Sequence, residues 1–480
     1  MTDEMFSAQS PKGWVRTKLG DIVTFEYGKG LTKAMRKSDG SVPVYGSNGV
    51  LGHHSQALTN KPCIIVGRKG AVGAVHLSSI PCWPIDTTYF VETPEGMDLS
   101  FLFYLLSTLG LGSLDRSTAI PGLNRNDAYR LPISLPPSTE QHRIVAKIEE
   151  LFTKLDAGID VMKKIRVQLK QYRQAVLKAA FQGKLTEEWR EKHKGEFEPA
   201  SMLLKRIRDE RGKKDKWKNW DLSPGSILNL PQLPEGWMWS LFGNLITESQ
   251  NGVSKRKSPQ GTPTHVLRLS DIASGKISDA NPRDIRLTRQ EIDKYTLTSG
   301  DLLCIRVNGS PDLTGRMVAF SESETWAFCD HFIRFRVSDL LSISYLCQFF
   351  NTQVARNHIE SSMVSSAGQN TVSQKTIAMT PIPLPSCEEQ EKIVGELEHY
   401  FSVLDQTEKI VERTIEQSDG LRQSILRKAF QGRLVPQDPS DEPAGDLLNQ
   451  IKAERAKRES AEKVKKGAKG KSNTKQMRLI

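Results

Sequence analysis

Apolar side chains recur along two stretches of this chain in alternating steps of three and four. The first stretch presents Ile148, Leu151 or Phe152, Leu155, Ile159, Met162, Ile165, Leu169, Tyr172 and Val176; the second presents Leu397, Tyr400 or Phe401, Leu404, Val411, Ile415, Leu421 and Ile425. Charged and amide residues fill the positions between them, so each stretch predicts a long amphipathic helix with one narrow apolar seam. From Ile144 to Ala180 is 37 residues, about 55 Å at about 1.5 Å per residue. A seam of that length wants a partner helix. Either the two pack on each other as an antiparallel coiled coil, or they are surface helices of two separate domains. Ser418, standing where the first seam has Leu169, weakens the coil locally or marks a position where another subunit packs.

The two stretches are copies. Pro132-Ile133-Ser134-Leu135-Pro136, Glu140-Gln141 and Ile144-Val145 precede the first seam, and Ala180-Phe181-Gln182-Gly183-Lys184-Leu185 closes it. The second reads Pro381-Ile382-Pro383-Leu384-Pro385, Glu389-Gln390 and Ile393-Val394, and closes with Ala429-Phe430-Gln431-Gly432-Arg433-Leu434. Corresponding positions are 249 residues apart throughout, without a gap. A constant offset over some fifty residues marks a duplicated rigid element.

Between the arms the period changes. Val42 to Gly49, Cys63 to Gly73 and Thr88 to Val91 are short apolar runs punctuated by glycine, as are Val266 to Ile272, Gly300 to Gly309 and Phe332 to Phe335. These are strand and turn signals. Short helices are expected over Leu99 to Leu111 and Tyr345 to Arg356, and polar loops over residues 121–131 and 366–373. Pro11-Lys12-Gly13-Trp14 and Pro234-Glu235-Gly236-Trp237 begin the two units at an offset of 223, so the second unit carries 26 extra interior residues. The scaffold has kept its length while the domains mounted on it diverged. The expected segments are a first domain (1–138), an arm (139–185), a charged linker with a short helix (186–230), a second domain (231–387), an arm (388–434), a short helical region (435–459) and a basic tail (460–480). The tail's composition predicts disorder. In the linker, Trp189, Trp217 and Trp220 either anchor it to the arm or stack on bases. The fold class is α+β: two globular domains with strand-rich cores, joined by two long helices forming an antiparallel coiled coil, with a pseudo-two-fold internal repeat.

The formal charge of +11 invites a nucleic-acid partner, but residues 451–480 hold eleven Lys or Arg against three Glu and leave only +3 to everything before them. A DNA surface on the body must therefore come from local clustering. No apolar run reaches transmembrane length and the first residues lack a secretion pattern, which predicts a cytoplasmic protein. Cys63, Cys82, Cys304, Cys329, Cys347 and Cys387 show no close pairing or ligand spacing, so neither disulfides nor a metal site is expected.

No phosphate-binding GxxxxGK[ST] loop, HExxH or dinucleotide fingerprint occurs. His53 and His54 are adjacent on an expected strand and face opposite sides. Asp86 and Asp330 are isolated acids. A chain without visible catalytic machinery, but with basic, amide and hydroxyl groups on two sets of loops, suits the reading of two separated pieces of one duplex. Candidate readers are Ser47, Asn48, Arg68, Lys69, Asn124 and Arg125 in the first unit. In the second they are Arg268, Arg306, Asn308, Gln369 and Asn370.

The proline-flanked approaches ending at Glu140-Gln141 and Glu389-Gln390 resemble the PLPPxxEQ pattern of type I restriction-modification specificity subunits. The helix ends Phe181 to Leu185 and Phe430 to Leu434 resemble that family too, as do Gly300-Asp301-Leu302-Leu303 and Tyr45-Gly46-Ser47-Asn48-Gly49. The resemblance covers residues 11 to about 456, with small departures at Ser134 and Cys387. It implies two target recognition domains separated by helical spacers, an asymmetric bipartite double-stranded DNA target, and no activity or bound cofactor of the chain's own. It further implies two modification subunits that methylate adenine N6 with S-adenosylmethionine, and two motor-nuclease subunits using ATP and magnesium. On this reading Ile148, Leu155, Met162, Leu169 and Val176 with Leu397, Leu404, Val411, Leu421 and Ile425 hold the spacer together. The outer faces, with Leu203, Leu204, Ile207, Leu447, Leu448 and Ile451 on two short helices, are free to dock partners. The competing readings are a stand-alone bipartite DNA-binding protein, a nuclease or fused methyltransferase, whose carboxylate cluster or [DNS]PP[FYW] motif is not visible, and a coiled-coil scaffold.

Overall fold

Both apolar seams fold into continuous helices, Ser138–Phe181 and Cys387–Phe430, of 44 residues each. The computed structural model describes residues 11–36, 40–114, 122–211, 230–273, 276–277, 283–321, 326–457 and 460. Trp217, Trp220 and the tail beyond 460 lie outside them. Glycine stops each arm helix: Gly183 and Gly432 take φ of +71° and +67°. The amides of each glycine and of the residue after it then bond back, Gly183 to Ala180 and Lys184 to Ala179, Gly432 to Ala429 and Arg433 to Lys428. This left-handed cap is what the repeated Phe-Gln-Gly text encodes.

The chain forms two compact units that are not consecutive in sequence. One comprises residues 1–163 with 412–480, the other residues 164–411, so each arm helix contributes to both.

In the first unit the opening strand Val15–Lys18 pairs antiparallel with Pro132–Leu135, the strand that leads into the arm. A four-stranded antiparallel sheet follows in the order Glu26–Tyr27, Thr88–Glu92, Cys63–Gly67, Val75–Ser78, beside a three-stranded sheet built on the hairpin Val42–Gly46 and Gly49–His54. Phe101, Leu102 and Leu105 on helix Leu99–Thr108 pack with Ile64, Val66 and Tyr89 of the sheet and with Ile148, Ile425 and Phe430 of the arm segments. Domain and arm thus share one core. The expected loop at 121–131 contains a helix, Arg125–Tyr129, started by Asn124, whose side chain accepts from the Asn126 amide.

The second unit repeats this with strands Met238–Leu241 and Pro381–Leu384 in the same register, Met238 opposite Leu384 as Val15 is opposite Leu135. Its four-stranded sheet runs Ile246–Asn251, Phe332–Val337, Leu302–Ile305, Met317–Ala319. The single helix expected over Tyr345 to Arg356 is two, Ile343–Phe349 and Gln353–Ser361, because Thr352 caps the second. The expected loop at 366–373 carries paired strands, Val364–Ser366 with Gln369–Thr371.

The Glu-Gln motif latches each domain to its arm. Trp14 Nε1 donates to Glu140 at 2.9 Å and Trp237 Nε1 to Glu389 at 2.7 Å. Gln141 accepts from the Asp98 amide and Gln390 from the Ser342 amide, at 3.1 and 3.0 Å. The latches differ in one respect: Glu389 also accepts from Thr186 and Arg190 at 2.7 and 2.6 Å, whereas Glu140 Oε1 is buried without a partner among the described residues.

Within each unit the arm segments run antiparallel. Arg143 pairs with Asp441 and Arg422 with Asp156 in the first; Arg190 pairs with Glu389 and Arg173 with Asp405 in the second. Arg422 and Arg173 occupy equivalent positions, and their guanidiniums lie over the equivalent rings of Phe152 and Phe401 at 4.9 and 4.6 Å. Ile148, Val176, Leu397, Leu404, Val411 and Ile425 are buried, with Leu155, Met162 and Leu169 half-buried. Leu421 and its counterpart Tyr172 are not in the seam, being 51% and 50% exposed. The seam instead runs from buried Ser418 through Arg422 to Ile425. The Ser418 hydroxyl is satisfied by the Ile415 carbonyl at 2.6 Å, and Arg422, lying against Phe152, turns its neighbour outward.

Leu203, Leu204 and Ile207 on helix Ala200–Arg211 are buried in the core of the second unit, and Leu447, Leu448 and Ile451, in the helical stretch 444–457, in that of the first. An amphipathic helix beside an uncovered apolar surface buries its stripe there, so these six residues are unavailable for docking. In the linker, Trp189 stacks on Phe197 with centroids 5.2 Å apart. Cys63 and Cys82, distant in sequence, bring their sulfurs to 3.5 Å as buried thiols, so the cysteines do include one close pair in space. No helix among the described residues is long and apolar enough to cross a membrane.

Candidate nucleic-acid interface

In the first unit the loops that carry all six candidate residues meet. Ser47 and Asn48 form the two-residue turn of the hairpin, and the Ser47 carbonyl lies 3.1 Å from His76 Nε2. Gly67 and Gly70 let the next loop lie against Ser47, where a side chain at Gly67 would meet backbone and the Ser47 Cβ. Lys69 bridges to Gly122, and the Leu123 amide donates to the Arg68 carbonyl at 2.9 Å, which sets Asn124 and Arg125 beside Arg68 and Lys69. Two guanidiniums, Arg68 and Arg125, lie over one ring, Tyr27, at 5.5 and 5.2 Å. Tyr27 is 53% exposed and escaped the sequence reading, because nothing in Glu26-Tyr27-Gly28 separates a surface tyrosine from a core one. Arg68 also donates to the Asp86 carbonyl, and the Asn124 side-chain oxygen is committed to capping.

In the second unit the candidates divide. Asn308 and Asn370 face each other across a strand pair. Buried Asn370 donates to the Gly309 carbonyl at 3.1 Å, and Asn308 accepts from the Ser310 amide at 2.8 Å. These bonds hold the loop, since local hydrogen bonds compete for short amide side chains. Gln369 is exposed. Arg268 grips buried Asp271 through Nε and Nη2 at 3.2 and 3.0 Å, so much of its donor fork is committed inside the chain. Arg306 takes the His331 carbonyl through its amide at 2.7 Å and the Asp330 carbonyl through its side chain at 3.3 Å.

An open cleft of about 220 Å³ adjoins these groups, its walls including Arg256, Arg268, Arg283 and His331. Three of the four were not singled out in the sequence, since they are scattered over 76 positions and only the fold converges them. Cys329, Asp330 and His331 also offer three donor atoms within 4.8 Å of one another. A cation fits poorly there. Arg256 already holds Asp330 at 2.8 Å, which raises the guanidinium pKa further, and burial pushes the Cys329 thiol up and away from thiolate. Guanidiniums on several sides favour an anion such as a phosphate.

Two surfaces of different make therefore stand on a repeated frame: a loop patch with an aromatic centre, and a cationic cleft. The family model for the type I restriction modification DNA specificity domain matches residues 11–171 and 279–417. The chain is similar to the type I restriction enzyme StySPI specificity subunit of Salmonella potsdam, 34% identical over 356 residues, with 72% of this chain and 68% of that one covered. It is similar as well to the EcoKI specificity subunit of Escherichia coli (strain K12), 27% identical over 492 residues with 94% and 97% covered. Among solved structures, a chain from a study of complex assembly and conformational transition of the type I R-M system matches with a TM-score of 0.59 at 18% identity, over 89% of this chain and 100% of that one. The HsdS subunit from Thermoanaerobacter tengcongensis matches at 0.51 and 19%, over 89% and 99%. At those identities the likeness is one of fold.

Proposed function

This chain belongs to the family of type I restriction-modification DNA specificity subunits, and on that premise we propose that it reads an asymmetric bipartite duplex target, one half with each recognition domain. The observation that carries the reading is the pairing of a duplicated frame with two unlike surfaces. The latch glutamates, the glycine caps and the Arg422–Asp156 and Arg173–Asp405 pairs recur at one offset, while the Tyr27 patch and the Arg256 cleft share no residue pattern. Such a chain reads two different sequences while its 44-residue helices hold the unread spacer constant. Phosphate contacts suit the cleft, where guanidiniums stand on several sides, and base contacts suit the loop patch.

The chain carries no chemistry of its own in this proposal. Two modification subunits supply adenine N6 methylation with S-adenosylmethionine; two restriction subunits supply ATP- and magnesium-dependent translocation and cleavage, all in the cytoplasm. Docking falls to the outer arm faces. Val161 and Leu421 in the first unit, and Tyr172 and Ile410 in the second, are each at least half exposed. Val161 and Ile410 are counterparts at the repeat offset, as are Tyr172 and Leu421, which supports two equivalent partners.

The test is genome-wide mapping of N6-methyladenine with this chain and its modification subunit together, against the modification subunit alone. A new gapped, asymmetric motif is expected only with both. A stable complex that methylates nothing sequence-specific refutes the proposal, and tight binding of the full target by the purified chain alone favours a stand-alone binder.

A further inference from the structure

We propose that Arg125 is the base-reading arginine of the first recognition domain, taking the O6 and N7 of a guanine in the major groove while Tyr27 holds its guanidinium in the reading orientation. The inference rests on the DNA-specificity reading above. It adds which residue specifies and what it specifies.

A reading arginine needs unspent donors, access to solvent and a fixed plane, because a bidentate contact with guanine uses two N–H groups of the fork at once. Most candidate arginines fail the first requirement. Arg68 donates to Asp86, Arg306 to Asp330, Arg256 pairs with Asp330, and Arg268 grips Asp271. Arg125 makes no side-chain hydrogen bond or ion pair among the described residues. What holds it is the Tyr27 ring, 5.2 Å from its Cζ. Attraction between a guanidinium and a ring face restrains the plane and consumes none of the N–H groups at the guanidinium edge.

The platform is itself fixed. Tyr27 lies opposite Tyr89 in the sheet, with ring centroids 5.1 Å apart. The Tyr89 hydroxyl donates at 3.1 Å to the carbonyl of Leu123, two residues before Arg125. One chain of contacts therefore ties the ring and the segment that carries the arginine, and Asn124 caps the short helix on which Arg125 sits. Preorganisation of this kind lowers the ordering cost of binding. Arg68, on the same ring but committed to Asp86, is suited to register rather than to reading.

The experiment uses the full chain with its modification subunit and the motif that the wild-type complex methylates. Competition binding compares wild type, Arg125→Ala, Arg125→Lys, Tyr27→Ala and Tyr27→Phe on duplexes altered one base pair at a time, including 7-deazaguanine, which removes the N7 acceptor. Arg125→Ala should lower discrimination at one G·C pair of one half-site by roughly 10- to 100-fold and leave the other half-site unchanged. Arg125→Lys should lose that discrimination while keeping the salt dependence. Tyr27→Ala should lose part of it and Tyr27→Phe almost none. 7-Deazaguanine at that position should penalise wild type but not Arg125→Ala. Uniform weakening on every duplex, or a half-site in which no guanine responds to Arg125→Ala, overturns the assignment; intact discrimination in Tyr27→Ala overturns the role of the ring. A wild-type complex yielding no gapped motif would remove the specificity reading itself, a result distinct from all of these.

Discussion

Glu140 and Glu389 occupy equivalent latch positions, yet replacing each by glutamine should have opposite consequences. Glu389 accepts from Trp237, Thr186 and Arg190 at 2.6 to 2.7 Å, with its side chain 5% exposed. Glutamine keeps an oxygen for the indole but turns an amide toward two donors and strands the guanidinium. Breaking a buried pair costs about 3–5 kcal/mol; Arg190 retains some solvent and the Gly183 carbonyl, so about 2–3 kcal/mol is expected here. Glu140 has no such cation, and its second oxygen has no partner among the described residues. Burial raises its carboxyl above the ordinary glutamate value. The folded first unit therefore keeps this proton to higher pH than the unfolded chain does. The stability it contributes is present below about pH 4.3 and lost as pH rises through the raised value. Glu140→Gln, which keeps the Trp14 bond and removes the titration, should be neutral or stabilising at pH 7. Because a chain of two units need not unfold in one step, the assay is hydrogen exchange of peptides spanning the paired strands, 15–18 with 132–135 and 238–241 with 381–384. Glu389→Gln should speed exchange in the second pair by roughly 30- to 150-fold, at about 1.4 kcal/mol per tenfold, and Glu140→Gln should leave the first pair unchanged at pH 7. Equal effects, or a larger loss from Glu140→Gln, would refute the reasoning.

Inserting four residues after Met162 and four after Val411, its counterpart, lengthens both arms by about 6 Å. Both half-site preferences should survive while the permitted spacer changes; an unchanged spacer in the methylation map sinks the ruler. Leu203→Ala or Leu447→Ala should cost about 2–4 kcal/mol in the isolated chain, seen as a lower unfolding midpoint, because each side chain is buried in its own unit. Tyr172→Glu with Leu421→Glu should leave that midpoint unchanged and reduce the number of modification subunits bound, measured by the mass of the complex; full occupancy would exclude these faces as docking surfaces.

The frame was legible because duplication exposes it. A seam repeated at one offset, a Phe-Gln-Gly stop and an indole-carboxylate latch all leave fixed text. The surfaces were legible only in part. The sequence marks the loops carrying Ser47, Arg68 and Arg125 and the fold brings those loops together, whereas Arg256, Arg283 and His331 meet only through the sheet order of the second unit. Tyr27 carries no mark of its role, which arises from two arginines arriving from residues 68 and 125. The errors share a cause. At Leu421 an apolar residue lost its seam position to an arginine with an aromatic face to cover, and at Leu203 and Leu447 an apolar stripe read as available was already used at home. Asn308, Asn370 and Arg268 spend hydrogen bonds inside the chain, which the sequence does not mark, because spent and unspent hydrogen-bonding groups are spelled alike.

The strand pairs that close each recognition domain, Val15–Lys18 with Pro132–Leu135 and Met238–Leu241 with Pro381–Leu384, bring the two ends of that domain side by side in one register. In evolutionary terms this is a splice point. A crossover between two related genes within the duplicated arm text would deliver a foreign domain already fitted with its strand, tryptophan and helix cap. A lineage can thus acquire a new half of its address in one recombination event, whereas point mutation would have to rebuild loops such as those around Tyr27 one residue at a time.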